Sequence, residues 1–168
     1  FEDDTETLVY FLNIKAYCPD KDIVVTIYNS SLKSTFINAG VTHIVCKNEL
    51  SSKLVASFIF EPDVAQLTEE VMSTATEDFQ YDMLEILLRN NNKYVGMNCF
   101  DIFMDIKTSF DAVLLGISQI DKNEKWELIK NPSKEIIARN GDYLIMMANG
   151  ASKKHIEHKF GVAEGKLT

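Results

Sequence analysis

The sequence predicts an α/β fold in three parts: a parallel α/β unit over residues 1–47, a helix-turn-helix pair over 48–78 and a small α+β lobe over 79–168. The first part alternates helix and strand patterns, which is typical of parallel strands joined by helices. The last part contains short apolar runs separated by turns, which predicts a small sheet with covering helices. With 168 residues, 46% of them hydrophobic, the chain is long enough for one domain or two small lobes.

The first part begins with a helix. Asp3, with Glu6 three places on, resembles a capping box, and apolar residues at helical spacing follow as far as Pro19. Three more elements, a strand, a short helix and a strand, are predicted at 22–28, 29–40 and 43–46. This order of elements predicts parallel α/β units.

Two apolar helices with a corner between them form the second part. Leu54, Val55 and Phe58 recur at helical spacing before Pro62, and proline is disfavoured inside a helix but favoured at its first position. The apolar stripe continues beyond the proline. It could pack onto the chain's own sheet, but with no further helix nearby to cover it we favour a surface for a partner. The residues predicted for this dimer interface are Phe58, Ile59, Val64, Leu67 and Val71.

The last part is rich in strands. Four strands are predicted at 83–88, 112–117, 126–129 and 143–147. Two helices are predicted beside them, one capped by Asn98 and one over 152–160. The pattern therefore indicates a β-rich lobe covered by one or two helices.

Composition excludes several classes of protein. The chain carries 25 acidic and 17 basic residues, a net charge of -8, so it lacks the basic footprint of a nucleic-acid-binding protein. Cys18, Cys46 and Cys99 are odd in number and widely spaced, which predicts a reducing compartment. No apolar run of about 18 residues occurs, so we expect no direct membrane insertion of this segment. Because the sequence starts with Phe1, we expect it to be part of a longer protein.

No catalytic pattern stands out. The seven glycines form no phosphate-binding loop, and no histidine lies beside a serine or cysteine in a triad pattern. We therefore expect no enzyme. The acidic residues Glu2, Asp3, Asp4 and Glu6 allow two interpretations: stabilisation of a helix N-terminus by negative charge, or oxygen ligands for a hard cation such as Ca²⁺.

Several local segments resemble one known family, the RCK domain, or regulator of potassium conductance, which also occurs as the Trk-type subunit of potassium transporters. The resemblance extends over most of the chain and is most specific in the last part. The segments that carry it are Gly40–Cys46, Glu49-Leu50, Leu54-Val55-Ala56, Glu61-Pro62-Asp63, Gly96–Ile117 with Phe103, Asn131-Pro132 and Ile136–Ile145.

The resemblance implies an architecture and a function. Residues 1–47 would be the C-terminal part of a Rossmann-like N-lobe, 48–78 a crossover swapped between partners, and 79–168 the RCK C-terminal lobe. The chain would be a cytoplasmic gating module at the face of the cell membrane. It would form homodimers and an octameric ring, and it would act on a membrane-embedded potassium pore. Its regulatory ligand would be a divalent cation such as Ca²⁺, or a nucleotide.

The resemblance also implies two cation regions. Asp3 and Asp4 match acidic residues that follow the fourth strand in calcium-gated members, whereas the fifth strand here ends at Asn29 without a carboxylate. Asp63 and Glu85 match a second region, near the crossover and the first strand of the C-terminal lobe. A complete domain would place four strands and a glycine-rich loop before residue 1. The alternative is therefore a soluble Rossmann-class nucleotide-binding protein or enzyme with its cofactor loop in that position.

Overall fold

The computed structural model describes residues 3–166, which form six α-helices and six strands. The chain divides into two compact units, residues 1–66 and 67–168, and each unit has its own hydrophobic core. No helix among the described residues is long and apolar enough to cross a membrane.

The first unit contains the predicted parallel α/β unit and, beyond residue 47, the first helix of the predicted pair. Its elements are α1 (Asp4–Tyr17), β1 (Val24–Ile27), a short 3-10 helix (Ser30–Leu32), α2 (Lys33–Asn38), β2 (His43–Cys46) and α3 (Lys47–Phe60). β1 and β2 pair in parallel, from Val24 opposite His43 to Ile27 opposite Cys46. The core between helices and strands consists of Phe11, Val25, Ile27, Phe36, Val41 and Cys46.

The predicted start of α1 is confirmed at Asp3. Its carboxylate accepts a hydrogen bond from the backbone N–H of Thr5 at 2.7 Å and so satisfies one of the donors left open at a helix N-terminus. Asn29 caps the short 3-10 helix, because its side chain accepts from the backbone N–H of Ser31 at 3.0 Å. α2 is followed by Gly40, whose φ of 96° lies in the region that favours glycine.

The predicted helix break is confirmed at the proline. α3 ends at Phe60, and the non-helical Glu61 donates its N–H to the carbonyl of Ser57 at 2.7 Å. Pro62 is the first residue of α4 (Pro62–Val71), the position where a missing N–H costs least.

The second unit is an antiparallel sheet with two helices. Its elements are β3 (Tyr81–Leu87), α5 (Cys99–Phe110), β4 (Val113–Ile120), β5 (Trp126–Lys130), β6 (Tyr143–Asn149) and α6 (Gly150–Phe160). The strand order is β3-β6-β4-β5, with a bulge in β4 between Leu114 and Gly116. The largest fully buried core side chains include Tyr94, Leu84, Ile86, Ile102, Ile106, Ile117, Leu144, Met146 and Ile156.

α6 starts two residues earlier than the sequence predicts. Asn149, the last residue of β6, caps it by accepting from the N–H of Ser152 at 2.9 Å. Gly150 follows at once, and a Cβ there would lie 2.4 Å from the carbonyl oxygen of Glu77. The strand-to-helix turn is therefore tight because a glycine allows the backbone of the preceding loop to approach.

The register of the sheet decides which side chains share a face. Residues paired across antiparallel strands lie on the same side, and successive residues alternate. One face carries the buried Leu84, Leu144 and Ile117 of the core. The opposite face, here called the outer face, carries Glu85 and its partner Ile145, Tyr143 and its partner Ser118, and Leu128, Trp126 and Met83.

Candidate functional site

The two helices at the corner expose large apolar side chains. Phe58 and Ile59 of α3 are 44% and 70% exposed, and Val64 and Leu67 of α4 are 52% and 46% exposed. Val55, one turn before Phe58 and Ile59, is exposed as well. Val55 lies three and four positions before Phe58 and Ile59, and Val64 lies three positions before Leu67, so each of these sets shares a helical face. Exposed apolar side chains grouped on one face of a helix are typical of a protein interface.

Val71 is the exception among the predicted interface residues. It is only 7% exposed in the single chain, so it adds little to the exposed apolar surface, and its place in an interface stays a prediction. It lines a cavity together with Asp82 and Met83 of β3, which indicates that the last turn of α4 packs onto the chain's own second unit. The helical stripe in the sequence could not reveal this change of surroundings along α4.

Asp4 has a structural role. Its side chain is buried, and its two carboxylate oxygens accept the backbone N–H groups of Tyr28 and Asn29 at 2.9 and 2.8 Å. The carboxylate thus binds the first turn of α1 to the end of β1. Asp3 is occupied by the cap described above, and Glu2 lies outside the described residues.

Asp63 and Glu85 lie on different elements. Asp63 is exposed in the first turn of α4, where the helix N-terminus favours its charge. Glu85 is on the outer face of the sheet, with Lys166 Nζ 3.7 Å from Oε1. No group of three or more His, Cys, Asp or Glu that could hold a metal ion occurs within residues 3–166. That Asp3, Asp4, Asp63 and Glu85 contribute to cation sites stays a prediction.

A buried ionic cluster in the second unit was not predicted. Lys153 of α6 donates to Asp82 of β3 at 3.1 Å and to Glu164 at 2.5 Å, and its side chain is only 13% exposed. Asp82 also accepts from the backbone N–H of Ala75. The partners are far apart in sequence, and no local pattern marks them. The cluster joins four separate segments of the unit.

The turn before β6 explains part of the sequence resemblance. Gly141 has a φ of 90°, and the buried carboxylate of Asp142 accepts from Gln119 Nε2 at 2.5 Å and from the N–H of Arg139 at 2.6 Å. Gln119 also donates to the carbonyl of Ile137 at 3.0 Å. The Gly-Asp pair therefore connects the turn to β4.

A cavity of about 220 Å³ lies beside the Asn131-Pro132 segment. Its lining residues are Cys99, Phe100, Phe103, Leu114, Asn131 and Pro132. Burial, together with the charge of Asp142, raises the pKa of the Cys99 thiol to about 11. Cys99 is therefore a neutral thiol at pH 7 and a poor nucleophile.

Comparisons with known proteins give structural matches only. No protein-family model matches the chain, and no curated protein matches it either. The structure of the human SLO3 gating ring matches 95% of this chain at 16% identity, with a TM-score of 0.70. The GsuK channel bound to NAD matches 96% at 14% identity, with a TM-score of 0.44. S. agalactiae BusR, in complex with its busAB-promotor DNA, matches 69% at 12% identity, with a TM-score of 0.38.

This chain is shorter than each of these proteins. It spans 31% of the human SLO3 chain, 26% of the GsuK chain and 55% of the BusR chain. At these identities the similarity concerns the fold, and the prediction that nucleic acid is not a partner stays a prediction. The predicted parallel α/β unit, helix corner and α+β lobe are confirmed, and the chain shares its fold with the human SLO3 gating ring.

Proposed function

We propose that this chain is a ligand-sensing regulatory domain of a gating ring, located at the cytoplasmic face of the cell membrane. It regulates a potassium channel or a Trk-type potassium transporter and catalyses nothing. Support comes from the fold shared with the human SLO3 gating ring over 95% of the chain and from the local sequence resemblance to the RCK domain. Ligand binding to one arrangement of the ring shifts the equilibrium between open and closed states of the pore.

The observation that carries the proposal is the exposed apolar face of the helix corner. A homodimer would bury Phe58, Ile59, Val64 and Leu67, which are 44–70% exposed in the single chain. Full burial of one such side chain contributes about 1.5–3 kcal/mol. Since a micromolar dimer requires about 8 kcal/mol after the cost of association, several of these side chains must be buried together. Such dimers are the units from which an octameric ring is built.

The oligomeric state tests this interface. Replacing Phe58→Asp and Leu67→Asp together introduces charges at the centre of the apolar face, and light scattering should then give the monomer mass of 19.1 kDa. The wild-type chain should give at least twice that mass. The matched control is Phe79→Asp, an exposed aromatic residue outside the corner, which should leave the dimer intact. A double variant that remains folded by circular dichroism and dimeric would contradict the interface.

The regulatory ligand in this proposal is a divalent cation such as Ca²⁺, or a nucleotide. Asp63 is exposed and Glu85 is partly exposed, so both carboxylates are accessible to an ion from solvent. A ligand present at a hundred times its Kd stabilises the folded state by about 2.7 kcal/mol. In a thermal-shift screen with Ca²⁺, Mg²⁺, ATP, NAD and cyclic dinucleotides, at least one should raise the Tm.

Two substitutions separate the ligand classes. A Ca²⁺ shift that disappears in Asp63→Asn or Glu85→Gln would assign the cation to these acids. A shift with a nucleotide that survives both substitutions would assign the ligand to another surface. If no ligand in the screen changes the Tm, the sensing part of the proposal is wrong while the assembly part still stands on light scattering.

A further inference from the structure

A cluster on the outer face of the sheet contains one side chain from each of its four strands. The four are Glu85 of β3, Tyr143 of β6, Ser118 of β4 and Trp126 of β5. They surround one ammonium group, that of Lys166, in the segment after α6. None of these residues belongs to the helix corner, so the cluster is separate from the proposed dimer interface.

The distances are those of a bound cation. Lys166 Nζ lies 4.1 Å from the ring centroid of Trp126 and 5.5 Å from that of Tyr143. It lies 3.7 Å from Glu85 Oε1 and 3.5 Å from Ser118 Oγ. The two rings are 5.3 Å apart and meet edge to face, so both can contact the same cation.

The sheet itself builds this cluster. Tyr143 and Ser118 are register partners, and Glu85 pairs with Ile145, two positions along β6 from Tyr143. Trp126 lies two positions along β5 from Leu128, the partner of Ser118. All four side chains therefore point to the outer face. Tyr143 and Ser118 are each only 4% exposed, so half of the cluster is held by the packing of the sheet.

The chemistry is specific for an ammonium ion. Aromatic faces attract a cation within about 6 Å, a carboxylate supplies the opposite charge, and a hydroxyl oxygen accepts one N–H. The set offers too few oxygens for a hard divalent ion, which prefers six or more oxygen ligands. A primary ammonium, with three donors and a weakly polar stem, matches all four groups.

Segment 161–166 is attached by further contacts, one to the sheet and two to α6. The N–H of Gly165 donates to the carbonyl of Glu85 at 2.8 Å, and the N–H of Glu164 donates to Glu157 Oε1 at 3.0 Å. Glu164 also binds the buried Lys153 at 2.5 Å. Hydrogen bonds and an ion pair thus hold this segment in the position that places Lys166 at the cluster.

We propose that the outer face of this sheet carries a binding site for a primary ammonium group and that Lys166 fills it as a tethered occupant. A free alkylamine, or a lysine side chain of another molecule, binds there when Lys166 leaves. Lys166 therefore acts as an internal competitor, and the site is open to a second ligand only when segment 161–166 lifts from the sheet.

Fluorescence of Trp126 tests the proposal directly, because Trp126 is the only tryptophan of the chain. Lys166→Ala should change the emission of the folded chain. Methylammonium chloride, compared with sodium chloride at the same ionic strength, should then produce a saturable change at a concentration at least tenfold lower than in the wild type. Lys130→Ala removes another lysine of the outer face and should behave as the wild type does.

A double variant and two further results also test the ammonium site. In Lys166→Ala combined with Glu85→Gln, the methylammonium effect should be lost. If emission of the Lys166→Ala variant equals that of the wild type, or if methylammonium acts equally on both, the proposal is wrong. A change in emission that depends on protein concentration, without added amine, would identify a lysine of a second copy as the competing ligand.

Discussion

Lys153 connects segments of the second unit that lie far apart in sequence. Burial lowers the pKa of Lys153, but hydrogen bonds to Glu164 and Asp82 outweigh that effect and hold it above its ordinary value. A raised lysine pKa means that the folded state favours the charged form. The resulting stabilisation is complete below the unfolded pKa, about 10.4, and is lost only as the pH rises through the higher folded value.

Substitution of Lys153 should be costly. Lys153→Met leaves Asp82 charged, with a side chain only 8% exposed, and should lower the free energy of unfolding by about 3 kcal/mol in urea denaturation. Lys154→Met is the matched control, since its pair with Asp78 is exposed on both sides and should change the stability little. Equal effects of the two substitutions would refute the role of the buried cluster.

Tyr94 and Asp105 give a pH-dependent prediction. Hydrogen bonds from Lys93 and Tyr94 lower the pKa of Asp105, so its stabilising contribution is present above the ordinary carboxyl pKa, about 3.9, and is lost as the pH falls through the lower folded value. Tyr94→Phe removes the 2.5 Å hydrogen bond and should cost about 1 kcal/mol at pH 7. The difference from the wild type should shrink in urea titrations below about pH 4. A difference that grows on acidification would contradict this assignment.

At the scale of elements, the junction between β6 and α6 depends on Gly150. A Cβ at this position would lie 2.4 Å from the carbonyl oxygen of Glu77, so Gly150→Ala forces the backbone of the 77–78 turn to move. We expect a loss of about 1–3 kcal/mol, measured by urea denaturation. Ala151→Ser, at the exposed next position, should change the stability little. A Gly150→Ala chain as stable as the wild type would show that this turn adapts freely.

The elements that sequence predicts well are those fixed by local rules. Asp3, Asn98 and Pro62 each mark a helix start through a cap or a fixed φ, and the structure has them there. Asn149 was missed as a cap because it also ends a strand, and the tight turn at Gly150 depends on a distant backbone. Local sequence patterns predict local geometry. The turn at Gly150 depends on a contact with a distant part of the chain, so the sequence alone does not predict it.

Side-chain roles were harder to predict. Asp4 has the acidic character of a cation ligand, yet both of its oxygens accept backbone N–H groups from residues 24 and 25 positions away. Glu85 also has that character, and it lies beside a lysine near the other end of its unit. In both cases the partner is distant in sequence. The residue type therefore shows the charge, but only the tertiary structure shows which groups the charge contacts.

Substitution of Asp4 therefore distinguishes a structural role of its carboxylate from a role as a cation ligand. Asp4→Ala leaves two backbone N–H groups without their acceptor and should cost about 2 kcal/mol of unfolding free energy in the absence of any divalent cation. Glu6→Ala, exposed on the same turn, should cost less than about 0.5 kcal/mol. A loss of stability that appears only when Ca²⁺ is present would instead identify Asp4 as a ligand.

At the scale of the whole molecule, the proposed gating ring requires self-association through the helix corner. Phe58, Ile59, Val64 and Leu67 are exposed in the single chain, and their burial is the driving force for the assembly proposed here. Val71 is buried, so the exposed apolar residues on α4 in this proposal are Val64 and Leu67.

The most direct measurement is hydrogen exchange compared between the wild-type chain and the Phe58→Asp, Leu67→Asp double variant. We expect peptides from α3 and the first turns of α4 to exchange more slowly in the wild type, while peptides from the four-stranded sheet exchange alike in both proteins. Equal exchange at the corner, or slower wild-type exchange confined to another surface, would contradict self-association through the helix corner.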